Sequence, residues 1–313
     1  MINLKRNVFT GLPVRYSLGD VSSYDIVFMA DFFTEEVNGG AELTSNAMIE
    51  ALEQSNKKVL KLRCSEVNEN IITQLKDKKW IVGNWALCEP HNLSKIMKSV
   101  TDYSVVEFDF KYCLFRSVAK HKLQTGTECD CHKSEHGKYV AGFLEKAKNL
   151  FFMSEEQQQK YNNVFEEIRN KKSTVVGSMF DNESLSFIIN TYQNRQVPEE
   201  KVFAILGSEN WIKGTEDAVN WCKQTGTKHV VLPPMPYKDF ITTLSRFYGL
   251  VFVPRDSDTA PRVTIEAKLL GLDMVINNNV LQRNEKWFQT SDLKETLSEL
   301  VRRKELFVTL VTE

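Results

Sequence analysis

Two acidic residues eight positions apart are the most chemically suggestive feature of this chain. They are the ends of Asp258-Thr-Ala-Pro-Arg-Val-Thr-Ile-Glu266. Glu266 lies among Val263, Ile265, Ala267, Leu269 and Leu270. A carboxylate in apolar surroundings needs a polar partner, and a sugar hydroxyl is one such partner. The other reading puts Glu266 on the solvent stripe of an amphipathic helix. Asp258 or Thr259 is expected to cap that helix, Pro261 to sit in its first turn and Gly271 to end it. A second candidate is the loop Gly207-Ser208 to Lys213-Gly214, between an expected strand and an expected helix. A helix N-terminus with a lysine beside it suits a diphosphate; otherwise this is an ordinary turn with a surface lysine. Glu107 and Asp109 fall just past an expected strand end, where first-half loops face a cleft. Either could orient an acceptor hydroxyl, or both are surface acids.

The segment from Phe110 to Lys148 carries eight Lys/Arg against four Asp/Glu, a local net of +4. Cys129-Asp-Cys131-His132 offers soft ligands there, with Cys113, His121 and His136 in the same stretch. The spacing is C-x-C rather than C-x2-C and no second pair completes it. The alternative is an irregular basic loop with incidental cysteines. The sequence leaves open whether Cys113, His121, Cys129 and Cys131 bind zinc, and no metal is assigned to the chemistry.

The elements that would carry these residues alternate. Apolar runs Tyr24–Phe33, Val59–Leu62, Trp80–Gly83, Tyr103–Phe108, Asn149–Met153 and Ser173–Gly177 read as strands buried in a parallel sheet. Helical spacing follows Asn38-Gly39-Gly40, recurs over Leu93–Ser99, and restarts after Ser154, a good N-cap with acids behind it. The second half repeats this grammar. Strands are expected at Lys201–Leu206, His229–Leu232, Leu250–Val253 and Asp273–Asn277, with helices at Thr215–Lys223, around Tyr237–Arg246 and before Leu270. The chain therefore reads as two α/β halves, 1–180 and 181–313, with an irregular extension over residues 1–23.

Length agrees with this: 313 residues is about two domains. Forty Lys+Arg against 41 Asp+Glu excludes a globally basic nucleic-acid binder and an acidic disordered chain. No apolar run approaches the ~18 residues of a membrane span. The opening residues lack the apolar core of a signal peptide, and six dilute cysteines suggest no disulfide scaffold. A reduced, cytoplasmic protein is expected.

Three elements, in order, resemble the retaining GT-B glycosyltransferases of the E-x7-E type (glycosyltransferase family 4-like). They are Gly39-Gly40-Ala41-Glu42 after the first strand, Gly207-Ser208-x4-Lys213-Gly214 after the first strand of the second half, and Asp258-x7-Glu266. The resemblance implies two Rossmann-like domains across a cleft, an N-terminal acceptor domain and a C-terminal donor domain. It also implies a nucleotide-diphosphate sugar as donor substrate, retention, and no cofactor or bound metal. Glu266 would hold the donor ribose, Asp258 would contact the transferred sugar, and Lys213 would neutralise the diphosphate. The backbone at Gly39 and Gly40 would approach donor phosphate or acceptor. Asp109 completes the catalytic set with Asp258, Glu266 and Lys213. Donor binding would draw on Gly39, Gly40, Gly207, Ser208, Lys213, Arg262, Val263 and Glu266.

The chain departs from the pattern in places. Ser208 replaces the family arginine, and Arg262 is the candidate to supply that cation from the opposite loop. Asp258 is shorter than the usual glutamate, and Pro261 cannot donate an N–H where the family has glycine. Little chain remains beyond residue 290 for a closing helix. The acceptor is expected to be a glycan or lipid-linked saccharide, with the +4 segment favouring an anionic one. Hydroxymethylated viral DNA stays open as an acceptor. So does a catalytically inactive nucleotide-sugar-binding protein, because of Ser208 and Asp258. A Rossmann dehydrogenase is excluded, since no G-x-G-x-x-G follows an expected strand.

Overall fold

The structure, a computed structural model, describes residues 23–313, so the extension expected over 1–23 lies outside the described residues but for its last position. A first sheet holds β1 (Ile26–Ala30), β2 (Val59–Arg63), β3 (Lys79–Val82), β4 (Tyr103–Glu107), β5 (Leu150–Phe152) and β6 (Ser173–Val175) in the order β2-β1-β3-β4-β5-β6. A second holds β7 (Phe203–Leu206), β8 (His229–Leu232), β9 (Gly249–Phe252) and β10 (Asp273–Ile276) in the order β10-β9-β7-β8. Every pairing is parallel.

The continuous apolar runs dictate this arrangement. β1 and β4 are buried at every position, as strands covered by helices on both faces must be. In each sheet the order reverses once, between β1 and β3 and between β7 and β9. Such reversals splay the connecting loops apart at the strands' C-terminal ends and leave a crevice there. Among the described residues, no helix is long and apolar enough to cross a membrane.

The stretch beyond residue 290 is not short of structure. Leu293–Thr312 forms a 20-residue helix, its start capped by Asp292, whose side chain accepts from Lys294 N at 2.8 Å. Charged residues interrupt its apolar spacing, which hides it in the sequence. This helix leaves the second sheet and returns to the first. Phe307, Leu310 and Val311 join the core formed by Phe28, Met48 and Phe151. Asn149 donates to the Leu310 carbonyl at 3.1 Å, and Lys79 Nζ donates to those of Val311 and Thr312 at 3.0 and 2.9 Å.

The basic segment is also more ordered than an irregular loop. It contains helices Val118–Thr125 and Glu135–Lys146, capped by the Ser117 and Ser134 hydroxyls. Five of its eight cations, Lys111, Arg116, Lys122, Lys138 and Lys148, are in ion pairs. Its +4 is therefore partly neutralised, by Glu107, Asp109 and Asp102 from outside the segment as well as by its own acids.

Phe307 is fully buried and its ring meets that of Phe151 edge-on at 5.1 Å. Phe307→Ala should cost about 3–5 kcal/mol of unfolding free energy, read from urea denaturation. A loss below about 1 kcal/mol would show that the returning helix is not part of the cooperative core.

Candidate active site

The loop after β9 carries Asp258 and is fixed from several directions. Asp258 N–H donates to Asn279 O at 2.8 Å, and its carbonyl accepts from Leu281 N at 3.0 Å. Its carboxylate takes Lys213 Nζ at 2.7 Å, so the two residues from the separate motifs are brought into one ion pair. Thr259 does not cap the following helix either; its hydroxyl donates to Phe108 O at 2.7 Å. Pro261 occupies the N-cap position instead, with no side-chain hydrogen bond. Gly271 ends the helix in the left-handed region (φ +67°), as expected.

The Arg262–Leu269 helix has no solvent stripe: all eight residues are buried. Glu266 is only 3% exposed, and its Oε1 accepts from the Tyr237 hydroxyl at 3.0 Å and from Arg262 Nε at 3.4 Å. Burial pushes the Glu266 carboxyl above its ordinary range, opposed by the Arg262 charge and the Tyr237 hydrogen bond. Burial and the Glu266 charge push the Tyr237 phenol up in turn. The Arg262 guanidinium lies 3.9 Å over the Phe180 ring and donates to Met179 O and, at 3.3 Å, to Tyr237 Oη. Its binding capacity is largely taken up by the protein. Val263 is buried in the second-domain core, with its amide in the first helical turn, where N–H groups lack intrahelical partners.

The Gly207–Gly214 loop needs both glycines. A Cβ on Gly207 would lie 2.4 Å from Leu232 O, and one on Gly214 2.2 Å from Val253 O, the latter at φ +64°. Ser208 N–H donates to Thr215 Oγ1 at 3.1 Å, and the Ser208 hydroxyl accepts from Asn210 N at 3.2 Å. Lys213 closes a single 3-10 turn, Trp211–Lys213, just before the Thr215–Thr225 helix. Arg255 lies over Trp211 at 5.5 Å and pairs with Glu216 and Asp217 in that helix's first turn.

On the first sheet, Gly39 caps the Gly40–Gln54 helix, and a Cβ there would fall 2.3 Å from Glu42 Oε2. A Cβ on Gly40 would come 3.8 Å from Arg262 Cδ, so this turn faces the donor-side helix. Asp109 belongs to a separate polar group after β4. Its carboxylate takes Lys111 at 3.1 Å and Arg116 Nε at 2.7 Å. Burial alone would raise this carboxyl, but Lys111 and Arg116 outweigh it and hold it low. Glu107, fully buried, takes Lys111 at 3.2 Å and leaves Oε2 without a partner. Burial pushes its carboxyl up to about 7, against the pull of Lys111.

Four residues of this site carry no motif. Tyr237 and Arg255 are ordinary helix and loop residues by sequence. Asp256 has no sequence signal, and its carboxylate accepts from the Ser117 hydroxyl and Ala119 N across the halves. Arg116 reveals itself by its backbone, which adopts φ +55° and aims the guanidinium at Asp109 and at Asn84 Oδ1, 3.2 Å away. Non-glycine residues in that region are uncommon and cluster at functional sites.

No protein-family model and no curated protein sequence matches the chain. Solved structures do. HepE of Anabaena in complex with UDP and glucose superposes with a TM-score of 0.53 at 13% identity, over 92% of this chain and 93% of that one. The catalytic domain of starch synthase IV from Arabidopsis thaliana, bound to ADP and acarbose, gives 0.52 at 10% identity, over 92% and 94%. The fold is GT-B. An alpha-glucosyltransferase in complex with UDP-glucose and DNA containing an abasic site gives 0.49 at 10% identity, over 90% and 89%. In this GT-B chain the two sheets are the two Rossmann-like layers, with their C-terminal strand ends facing each other.

Glu107 provides a test of the acidic group after β4. Its folded-state pKa lies above 4.5, so the folded chain holds a proton that the unfolded chain releases. Stability should fall as pH rises from 4.5 through about 7. Glu107→Gln should flatten that fall in urea unfolding at about pH 5 and about pH 8. Identical pH slopes in the two proteins would mean Glu107 ionises normally.

Proposed function

We propose that the chain is a glycosyltransferase that moves a sugar from a nucleotide-diphosphate donor to a hydroxyl acceptor, with retention at the anomeric carbon. The observation that carries this reading is the pairing of Lys213 with Asp258 at 2.7 Å, in loops flanking the β7/β9 reversal of a GT-B fold. Retention rests on the resemblance of Asp258-x7-Glu266 to the family element.

Departure of a nucleoside diphosphate builds negative charge on the leaving phosphate. Lys213 and the start of the Thr215–Thr225 helix stabilise it, and Lys213 can exchange its Asp258 partner for phosphate as the charge develops. Asp258, so released, faces the transferred sugar. Glu266 accepts the ribose hydroxyls, which take the place of the Tyr237 hydroxyl. Arg262 acts on the donor through Glu266, holding that carboxylate between itself and Tyr237. The Val263 amide, with the Gly39-Gly40 backbone, is available to phosphate oxygens. Asp109, kept ionised by Lys111 and Arg116, orients the acceptor hydroxyl. The acceptor we infer is a glycan or lipid-linked saccharide.

A panel of UDP-, ADP- and GDP-sugars, screened by thermal shift and by nucleotide release, tests this. A true donor at about 100 times its Kd should add about 2.7 kcal/mol of stability. Lys213→Ala should lower kcat about 10²–10³-fold, while Glu266→Gln should act mainly on donor KM, by about tenfold or more. No stabilisation by any nucleotide sugar would sink the proposal. Stabilisation without release or transfer would leave a binding protein, and label transfer to hydroxymethylated DNA would replace the saccharide acceptor.

A further inference from the structure

Between β4 and the Glu135–Lys146 helix the chain makes an excursion that joins neither sheet. Its one α-helix, Val118–Thr125, has eight residues, too few to be stable alone. Phe110 and Tyr112 anchor its start in the first-sheet core, but beyond them Leu114 and Leu123 are 67% and 62% exposed. Beyond Tyr112, the residues it buries are Cys113, Ser117, His121 and Cys131. Cys113, His121 and Cys131 are buried and Cys129 is half-buried. Their ligand atoms all lie within 4.8 Å of one another, with Cys131 Sγ and His121 Nδ1 3.3 Å apart.

We propose that Cys113, His121, Cys129 and Cys131 form a structural zinc site. A tetrahedral zinc bonded at about 2.3 Å to sulfur and about 2.0 Å to nitrogen sets its ligand atoms about 3.5–3.8 Å apart. The four atoms therefore need only a small contraction to meet one ion. Three thiols and one imidazole are a closed donor set, with no position left for a substrate. All six cysteines of the chain are unpaired, so no disulfide competes for these sulfurs.

The backbone is built for this convergence. Gly126, at φ +73°, reverses the chain after the helix and brings Cys129 and Cys131 back to His121. A Cβ on Gly137 would lie 2.2 Å from Cys131 O, so the Glu135–Lys146 helix packs directly on the turn that carries Cys131. The spacing, C-x7-H-x7-C-x-C, departs from paired C-x2-C knuckles because the ligands come from a turn, a helix and a return strand of chain rather than two hairpins.

The site would also fix groups the proposed chemistry uses. Arg116 N–H donates to Cys113 O at 2.8 Å, and Ser117, next in the chain, gives Oγ–H to Asp256 at 2.5 Å. Zinc at Cys113 and His121 thereby anchors both ends of the segment that positions Arg116.

Elemental analysis of protein purified in reductant without chelator decides the matter. About one zinc per chain is expected. Cys131→Ser and Cys113→Ser should reduce zinc content several-fold, while Cys222→Ala, in the second domain, should not. Cobalt titration of metal-free protein should give the intense visible bands of a tetrahedral thiolate site. Zinc below about a tenth per chain, with no such cobalt spectrum, overturns the proposal, as does iron in zinc's place. Both readouts use the wild-type chain, so a variant that fails to fold does not blunt the test. Neither depends on a sugar donor, so failure here is distinct from failure of the proposed activity.

Discussion

Seven residues, Asp256 to Arg262, join the two halves of this molecule and bring the Asp258, Arg262 and Asp109 groups together. Asp256 accepts from Ser117 Oγ and from Ala119 N. Ser257 accepts from Lys160, Thr259 donates to Phe108 O, the Ala260 carbonyl accepts from Ser178, and Arg262 donates to Met179 O. Each of these is a contact to the first half. Asp258, in their midst, is bound within the second half to Lys213, Asn279 and Leu281. The segment is therefore held to the first half on both sides of Asp258, which is itself held to the second. Because Thr259 holds the carbonyl of Phe108, the Asp258 and Asp109 poles are one residue removed from a shared hydrogen bond.

Asp258, Glu266 and Asp109 each have their own cation: Lys213, Arg262 and the Lys111–Arg116 pair. Removing one partner from such a pair strands a charge away from water, which costs more than the pair itself contributes. The exposure of the cations separates their roles. The Lys213 side chain is 30% exposed, whereas that of Arg262 is 4% exposed and bonded to a carbonyl and a phenol. Lys213 can be reached by an arriving phosphate, which would take over the counter-charge that Asp258 supplies. Arg262 cannot, and its geometry is that of a group holding Glu266 in place.

The strands were legible because a sheet covered on both faces writes continuous apolar runs into the chain, as at Ile26–Ala30 and Phe203–Leu206. The Gly207–Gly214 loop was legible because close backbone approach demands glycine at both ends. Burial of Glu266 was not legible. Periodicity reports one apolar stripe, and the Arg262–Leu269 helix is enclosed by the second sheet, the Asn182–Gln193 helix and the returning Leu293–Thr312 helix together. The capping expectation failed for a related reason: Asp258 and Thr259 had stronger tertiary partners than a helix end. Tyr237 and Arg116 had no sequence signal, since one acts through a hydroxyl and the other through an unusual φ.

The returning helix decides which part of this assembly can move. Along the returning helix and just before its start, Arg303 and Glu285 form a buried pair at 2.6 Å, Glu285 also accepts from Glu155 N at 3.1 Å, and Arg283 takes Glu156 at 2.9 Å. Beside them the helix carries Phe307 into the first-sheet core. The contacts on the Asp258 side are mostly single hydrogen bonds, each worth about 1 kcal/mol net when water can replace it. The returning helix instead ties the halves through buried apolar area at Phe307, Leu310 and Val311, which water cannot replace. A separation of the sheets between Gly40 and Arg262 therefore costs less than one that draws Phe307 out of the first-sheet core. It would release the Asp256–Arg262 segment from the first half while leaving Asp258, through Asn279 and Leu281, attached to the second.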